Sequence, residues 1–206
     1  MSTAHVIDAA AERSELVRTA LEMAREAHAG QVRNASGGRP YIDHPVAVAA
    51  LLAEQGFPDE VLAAALLHDV VEDSELETKD IRDAAGERVG ELVAALTDDE
   101  SVDSYEERKR EHRRRVEAAG PDALAIFVAD KLTNVEMLLR AYSDQGEQVG
   151  EELSVPLDVK VAVWEADQAM AAERTDESEA VAALAERLSD RLSSLRADRA
   201  AAAPPR

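Results

Sequence analysis

Apolar residues recur at helical spacing along almost the whole chain. Within residues 12–29, Leu16, Thr19, Ala20, Met23 and Ala27 fall on one stripe, the mark of an amphipathic helix. The Gly-, Ser-, Asn- and Pro-containing stretch GQVRNASGGRPYIDHP then predicts a loop. Pro45 suits the first turn of a helix through Val46–Gln55, which Gly56 and Pro58 close. From Pro58-Asp59 the run VLAAALLHDVVED is apolar almost all round until His68, predicting a buried helix whose polar end leaves the core. Short helices are expected over 78–85 and 87–96, separated by Gly86, and a charged helix over 105–118. Pro121 starts the apolar segment AIFVADKLTNVEMLL, residues 143–156 read as a polar loop, and helices follow over 157–172 and 178–198. No internal repeat and no convincing strand is visible. The expectation is an all-α, single-domain helical bundle over 1–206, with a core over about 12–172 and a disordered tail at 199–206. About eight to ten helices are expected in such a bundle.

Composition narrows the chemistry. The 206 residues suffice for one sizeable core. With 46% hydrophobic but 3% aromatic residues, the chain favours helices over strands. There is no cysteine, which excludes disulfides, thiolate zinc sites and cysteine nucleophiles. No run approaches the ~18 apolar residues needed to cross a membrane. The first residues lack a basic-then-apolar signal pattern, so a cytoplasmic protein is expected. A formal charge of −20 opposes nucleic-acid binding, which rests on basic surface, and mostly reflects a solubilising acidic exterior. It leaves room for a small phosphorylated ligand held by a local cationic site.

The strongest local signal is LLHDVVED, residues 66–73. On a helix His68 lies beside Glu72, and Asp69 beside Asp73, so four ionisable groups close an otherwise buried run. Burying them is costly unless they are paired or meet a cation. Two other segments place similar groups among apolar ones: His44 in PYIDHP, and Asp130 in VADKLTN. Two histidines and two aspartates form a mixed nitrogen and oxygen set that suits Mn²⁺, Fe²⁺, Co²⁺ or Zn²⁺ better than Ca²⁺ or Mg²⁺. Four protein ligands leave room for water only at five- or six-coordination, which favours manganese or iron over structural zinc.

The order H…HD…D on helices resembles the HD-domain phosphohydrolases. More narrowly, AREAHAGQVR (24–33), RPYIDHPVAVA (39–49), AAALLHDVVEDS (63–74), LTDDES (96–101) and FVADKLTNV (127–135) resemble the hydrolase domain of Rel/SpoT alarmone enzymes and the stand-alone small alarmone hydrolases. The resemblance implies that His44, His68, Asp69 and Asp130 ligate a metal, Mn²⁺ foremost. It also implies that Glu72 and Asp73 are the catalytic acidic pair, one of them handling the proton of the attacking water. Asn134 would face the nucleotide, and Arg33 would pack against a guanine base. The implied reaction removes the 3′-pyrophosphate of (p)ppGpp, giving GDP or GTP and pyrophosphate, with no synthetase domain following. Asn34 stands where the family commonly has lysine, the loop to His44 is longer, and Glu136 is acidic where a basic residue is common. Asn34 and the longer loop favour the alternative of another nucleotide, NADPH or an adenine alarmone. A non-catalytic nucleotide-binding module is a further alternative.

Several residues carry weaker signals. The run ERKREHRRR reads as a solvated helix face with Glu106–Arg110 and Glu111–Arg115 pairs, from which Arg108 or Lys109 could reach distal phosphates. Lys131 is a comparable candidate. Tyr41 and Ile42 read as packing residues, Trp164 as a core anchor, and His5 and His112 as solvent-facing. His28 is a core or surface histidine with a possible role beside the site.

Overall fold

Ser14 divides the start of the chain into two helices, because its side chain accepts from the Val17 N–H at 3.4 Å and caps the second one. The protein was analysed as a computed structural model that describes residues 3–33, 38–99, 101–174 and 178–202. Helix α1 spans Thr3–Arg13 and α2 Glu15–Ala27, so a helix precedes the one the amphipathic stripe predicts. Its buried residues, Ile7, Ala10 and Ala11, are too few and too small to announce it in the sequence. There follow α3 (Asp43–Glu54), α4 (Asp59–Leu67), α5 (Val70–Asp73), α6 (Thr78–Ala85) and α7 (Glu87–Leu96). Helices α8 (Tyr105–Ala119), α9 (Pro121–Gln145), α10 (Leu157–Ala172) and α11 (Glu179–Ala202) complete the chain. Among the described residues the nearest thing to a strand is an isolated bridge between Val32 and Pro40.

Two helices form the centre. In α4 every residue from Val61 to Leu67 is buried, and α2, α3, α7 and α9 pack around it. The alanines at 63–65 let neighbours approach from several sides, which is what a helix apolar all round requires. Helix α9 starts at Pro121, where the missing proline N–H costs nothing, after Gly120 at φ 91° turns the chain out of α8. It is buried continuously from Ala123 to Thr133 and touches α3, α4, α7, α8, α10 and α11.

Three boundaries differ from the sequence pattern. The run expected as one helix breaks at His68–Asp69, between α4 and α5. The expected loop at 143–156 is partly ordered: α9 continues to Gln145 and a 3₁₀ turn covers Gly146–Glu152. The expected tail begins too early, since α11 runs to Ala202 and Arg199 reaches Glu147 and Asp158 at 2.9 and 2.7 Å. Residues 203–206, like Asn34 in the lengthened loop, lie outside the described residues.

The basic helix α8 is not a free solvated face. Arg113 pairs with Asp167 on α10 at 2.8 Å, and Arg115 donates to the Thr97 carbonyl at 2.6 Å. Arg114, rather than Arg115, pairs with Glu111, at 2.9 Å. Because α8 packs on α7, α9 and α10, its long cations find partners across those contacts instead of along their own helix. No helix of the described residues is long and apolar enough to cross a membrane.

Leu66 is fully buried at the middle of this arrangement. Leu66→Ala should therefore lower the unfolding free energy by roughly 2–5 kcal/mol. Chemical denaturation measures this, and a loss below about 1 kcal/mol would contradict the central placement of α4.

Candidate active site

The break after α4 is what aims the cluster. At His68 and Asp69 the backbone leaves the regular helix, and the His68 Nδ1 donates to the Ala65 carbonyl at 2.8 Å. That bond occupies Nδ1 and leaves Nε2 facing inward. His44, in the first turn of α3, and Asp130, in the middle of α9, meet it there. His44 Nε2 lies 3.1 Å from Asp130 Oδ1 and 3.6 Å from Asp69 Oδ2. His68 Nε2 lies 3.1 Å from Asp69 Oδ1 and 3.8 Å from Asp130 Oδ1. Ligand atoms of His44, His68 and Asp130 all fall within 4.8 Å of one another.

The donor set fits a divalent cation. The inward nitrogens of His44 and His68 are buried and lack a well-formed hydrogen bond among the described residues, although carboxylate oxygens stand close by. Burial, followed by the Arg33 charge, pushes His44 down to about 4, so it is neutral and able to donate a lone pair. Burial lowers His68 as well, yet Asp69 and Asp130 overcome it and hold its imidazole well above its ordinary value. Burial works to raise both aspartates; His68 does most to hold Asp69 down, and Lys131 does most for Asp130. Two ionised carboxylates thus surround a point that favours positive charge.

Neighbouring residues hold the cluster in place. The Tyr41 hydroxyl donates to Asp69 Oδ2 at 2.8 Å, and its ring stacks on His28 with centroids 4.6 Å apart. Burial and the Asp69 charge push the Tyr41 hydroxyl upward, so it stays a proton donor. Tyr41 is therefore more than a packing residue. His28 bonds to Gln31 at 2.8 Å, and Gln31 donates to the Asp73 carbonyl at 2.8 Å, tying the loop after α2 to the end of α5. Asn134, one turn after Asp130, donates to Asp130 Oδ1 at 2.6 Å and accepts from Arg33. The Arg33 guanidinium lies 5.1 Å from the Tyr41 ring centroid.

From this cluster a cleft of about 330 Å³ extends between α8, α9 and α10, lined by Glu72, Lys109, Lys131, Asn134 and Trp164 among others. An adjoining recess of about 190 Å³ shares Arg33, Tyr41, Asn134 and Trp164 and adds Met137, Leu138 and Leu153. Glu72 accepts the Asp98 backbone N–H at 2.6 Å. Partial desolvation, followed by the Asp69 charge, pushes its carboxyl up to about 7, although the side chain stays open to solvent. Asp73 does not line the cleft; its carboxylate lies near the Tyr41 hydroxyl.

The expected phosphate-reaching cations divide. Lys131 donates to Asp130 Oδ2 at 2.6 Å and sits 4.6 Å from the Phe127 ring centroid. Lys109 lines the cleft but is bound to Asp98. Arg108 is not among the lining residues and turns to Asp98 at 3.5 Å and the Val102 carbonyl at 3.2 Å. His112, expected in solvent, is buried 2.9 Å from Asp98 and edge-on to Phe127. His5 is exposed as expected. Sequence reasoning missed Asp98, Asp167 and Lys160. The first stands in the quoted LTDDES segment; for the others a charge on the buried-facing stripe of α10 is the one available signal.

Comparison with known proteins follows this geometry. A family model described as an HD domain matches residues 20–155. A guanosine-3′,5′-bis(diphosphate) 3′-pyrophosphohydrolase of Aquifex aeolicus is 33% identical over 158 residues, covering 74% of this chain and 22% of its own. The chain thus spans about a fifth of that relative's length. The Mus musculus protein of the same name, MESH1, is 38% identical over 131 residues, covering 63% of this chain and 72% of its own. The solved structure of a metazoan orthologue of SpoT, described as hydrolysing ppGpp, aligns with TM-score 0.70 at 25% identity over 88% of this chain and 96% of that one.

Purified protein should carry a divalent transition ion, measurable by plasma mass spectrometry, and His68→Ala should abolish it. A metal-free wild type, reconstituted or not, would contradict the fit of this cluster to a cation. Chelation should also lower the melting temperature, since an ion at 100 times its Kd stabilises by about 2.7 kcal/mol.

Proposed function

Because this chain belongs to the HD-domain family, we propose that it is a divalent-metal-dependent hydrolase removing the 3′-pyrophosphate of (p)ppGpp, with GDP or GTP and pyrophosphate as products. The observation that carries the reading is the continuity of the His44, His68, Asp69 and Asp130 cluster with a cation-lined cleft and an adjoining half-apolar recess. A cluster fit for a cation, a cleft with cationic lining and a partly apolar recess beside it support a nucleotide bound with its phosphates in the cleft and its base in the recess. The relatives named above act on this nucleotide by name, which supports the same substrate here.

Manganese is the proposed ion, held by His44, His68, Asp69 and Asp130, because a mixed imidazole and carboxylate set suits it. When bound, such an ion acidifies water and stabilises negative charge on phosphoryl oxygens. The chain's own residues do the rest. Glu72 is the proposed general base: it lines the cleft, and the Asp98 N–H fixes its carboxylate in place. A carboxyl near 7 can accept the water proton and return it to the leaving group. Asp73 supports it from outside the cleft, beside Tyr41. Asn134 ties Asp130 to Arg33, so the base-packing cation and a metal ligand keep one register. Arg33, backed by the Tyr41 ring, offers a flat guanidinium on which a purine can stack.

Incubation with ppGpp and Mn²⁺ should release pyrophosphate, detectable by phosphate assay after pyrophosphatase. Release from NADPH or an adenine alarmone but not from ppGpp would replace guanine in this reading while keeping the hydrolase.

Glu72→Gln should retain the ion and lower kcat by roughly 10²–10⁴-fold. As a base, Glu72 works ionised, so activity should fall as pH drops through its pKa, giving an acid limb at or below about 7. That limb should flatten in Glu72→Gln and persist in Asp73→Asn; the opposite pattern would assign the proton to Asp73.

A further inference from the structure

A further cavity, of about 280 Å³, lies between α1, α3 and α9. His44, Ala47 and Leu51, spaced along one face of α3, line it with Met137 and Arg140 from α9. Arg33 and Arg39 reach it from the segment before α3. Of the four cluster residues His44 alone lines this cavity, and His44 does not line the cleft. Arg33 and Met137 also line the recess proposed for the base. The cavity therefore shares one wall with the cluster and another with the recess.

Its lining is amphipathic. Val46, Ala47, Leu51 and Met137 supply apolar surface. The guanidinium groups of Arg33, Arg39 and Arg140 stand against the carboxylates of Asp43 and Glu136, and Glu136 also turns to Arg191 and Arg187 of α11. A small positive excess of this kind suits a monoanion and would leave most of a polyphosphate's charge unmatched. In a chain of formal charge −20 it is a local exception. Of the two cluster histidines, only His68 has its outer nitrogen satisfied, by the Ala65 carbonyl. His44 Nδ1 is buried and has no hydrogen-bond partner among the described residues. Imidazoles that ligate metals almost always donate that second N–H to an acceptor. An anion in the cavity that His44 lines favours the Nδ1–H form, and so leaves the Nε2 lone pair for an ion.

We propose that this cavity is an effector site for a small aliphatic carboxylate, which sets its charge among the guanidinium groups and its chain against Val46, Ala47 and Leu51, and which tightens the metal cluster through His44. Occupancy of the site does not depend on the hydrolase reading above. Because coupling is reciprocal, the ion and the carboxylate should each raise affinity for the other by the same factor.

Titration calorimetry on the full chain with octanoate, octanol and inorganic phosphate tests the site. Octanoate should bind at least about tenfold more tightly than either of the others, since octanol lacks the charge and phosphate lacks the aliphatic body. Arg140→Gln should weaken octanoate by roughly tenfold, as expected for losing a bond to a charged group. Arg140 is exposed, so this variant leaves the core untouched. Ala47→Phe, which fills the cavity from its wall, should abolish binding. No octanoate binding, phosphate bound as tightly as octanoate, or octanoate binding unchanged in both variants would overturn the site. With saturating octanoate, the Kd for Mn²⁺ should fall by roughly fivefold or more in wild type and stay constant in Ala47→Phe. An unchanged wild-type Kd for Mn²⁺ alongside octanoate binding would overturn the coupling through His44. A protein that leaves ppGpp uncleaved would sink the hydrolase reading, and the octanoate comparison would still decide the cavity.

Discussion

The structure depends on how one buried carboxylate is satisfied. Asp130 interrupts the apolar stretch of α9, the helix most enclosed by others, where an uncompensated charge would be strongly destabilising. Lys131 and Asn134 from α9 itself bond its two oxygens, and His44 from α3 and His68 from the end of α4 bring their inward nitrogens to 3.1 and 3.8 Å from Oδ1. Removing the charged partner of such a buried group typically costs roughly 3–5 kcal/mol, so Lys131 is tied to Asp130, and α3, α4 and α9 meet at this carboxylate. The chemistry and the core packing therefore share a constraint. Helices that pack correctly bring the two imidazoles and the carboxylate together.

A second layer transmits this order outward. Tyr41 steadies Asp69, His28 stacks on Tyr41, and Gln31 links that loop to α5. Asn134 passes the position of Asp130 to Arg33. On the far side of the cleft, Asp98 gathers Arg108, Lys109 and His112 while its backbone N–H holds Glu72. His112 and Lys109 keep the Asp98 carboxyl well below its ordinary range despite partial burial, which makes it a durable anchor. The outcome is a cleft whose positive charges are mostly neutralised in place. A polyanion entering such a cleft would meet few uncompensated groups.

The acidic exterior has a structural use as well. Glu136, which differs in charge from what the family resemblance suggests, pairs with Arg191 and Arg187 at 3.3 and 3.7 Å and joins α9 to α11. Its departure from the pattern is thus spent on helix packing. Exposed pairs of this kind are individually worth about 1 kcal/mol or less, so they tune the α9–α11 contact and do not create it. Helix α11 also buries Leu184, Leu188 and Leu195 fully in the core.

Much of the fold and of the site was legible beforehand because burial leaves a periodic mark. The all-round apolar character of 61–67 and 123–133 announced central helices, and the polar residues breaking those runs, His68, Asp69 and Asp130, announced chemistry that burial alone could not explain. Segment order and the text around His44 sufficed for the family. Tertiary structure decided the rest. Periodicity states which face of a helix is buried and is silent on what that face meets, so it could not tell that α8 would set Arg113 against Asp167. Nor could it tell that His112 would lie under Asp98, or that Tyr41 would reach Asp69. It could not separate Lys109 and Lys131, each bound to a carboxylate, from Lys160, which lies over the Trp164 ring, since a cation's electrostatic state depends on neighbours far away in the chain. The residue types of the cluster are written locally, beside apolar runs; the charge balance of the cleft exists only once α8, α9 and α10 have packed.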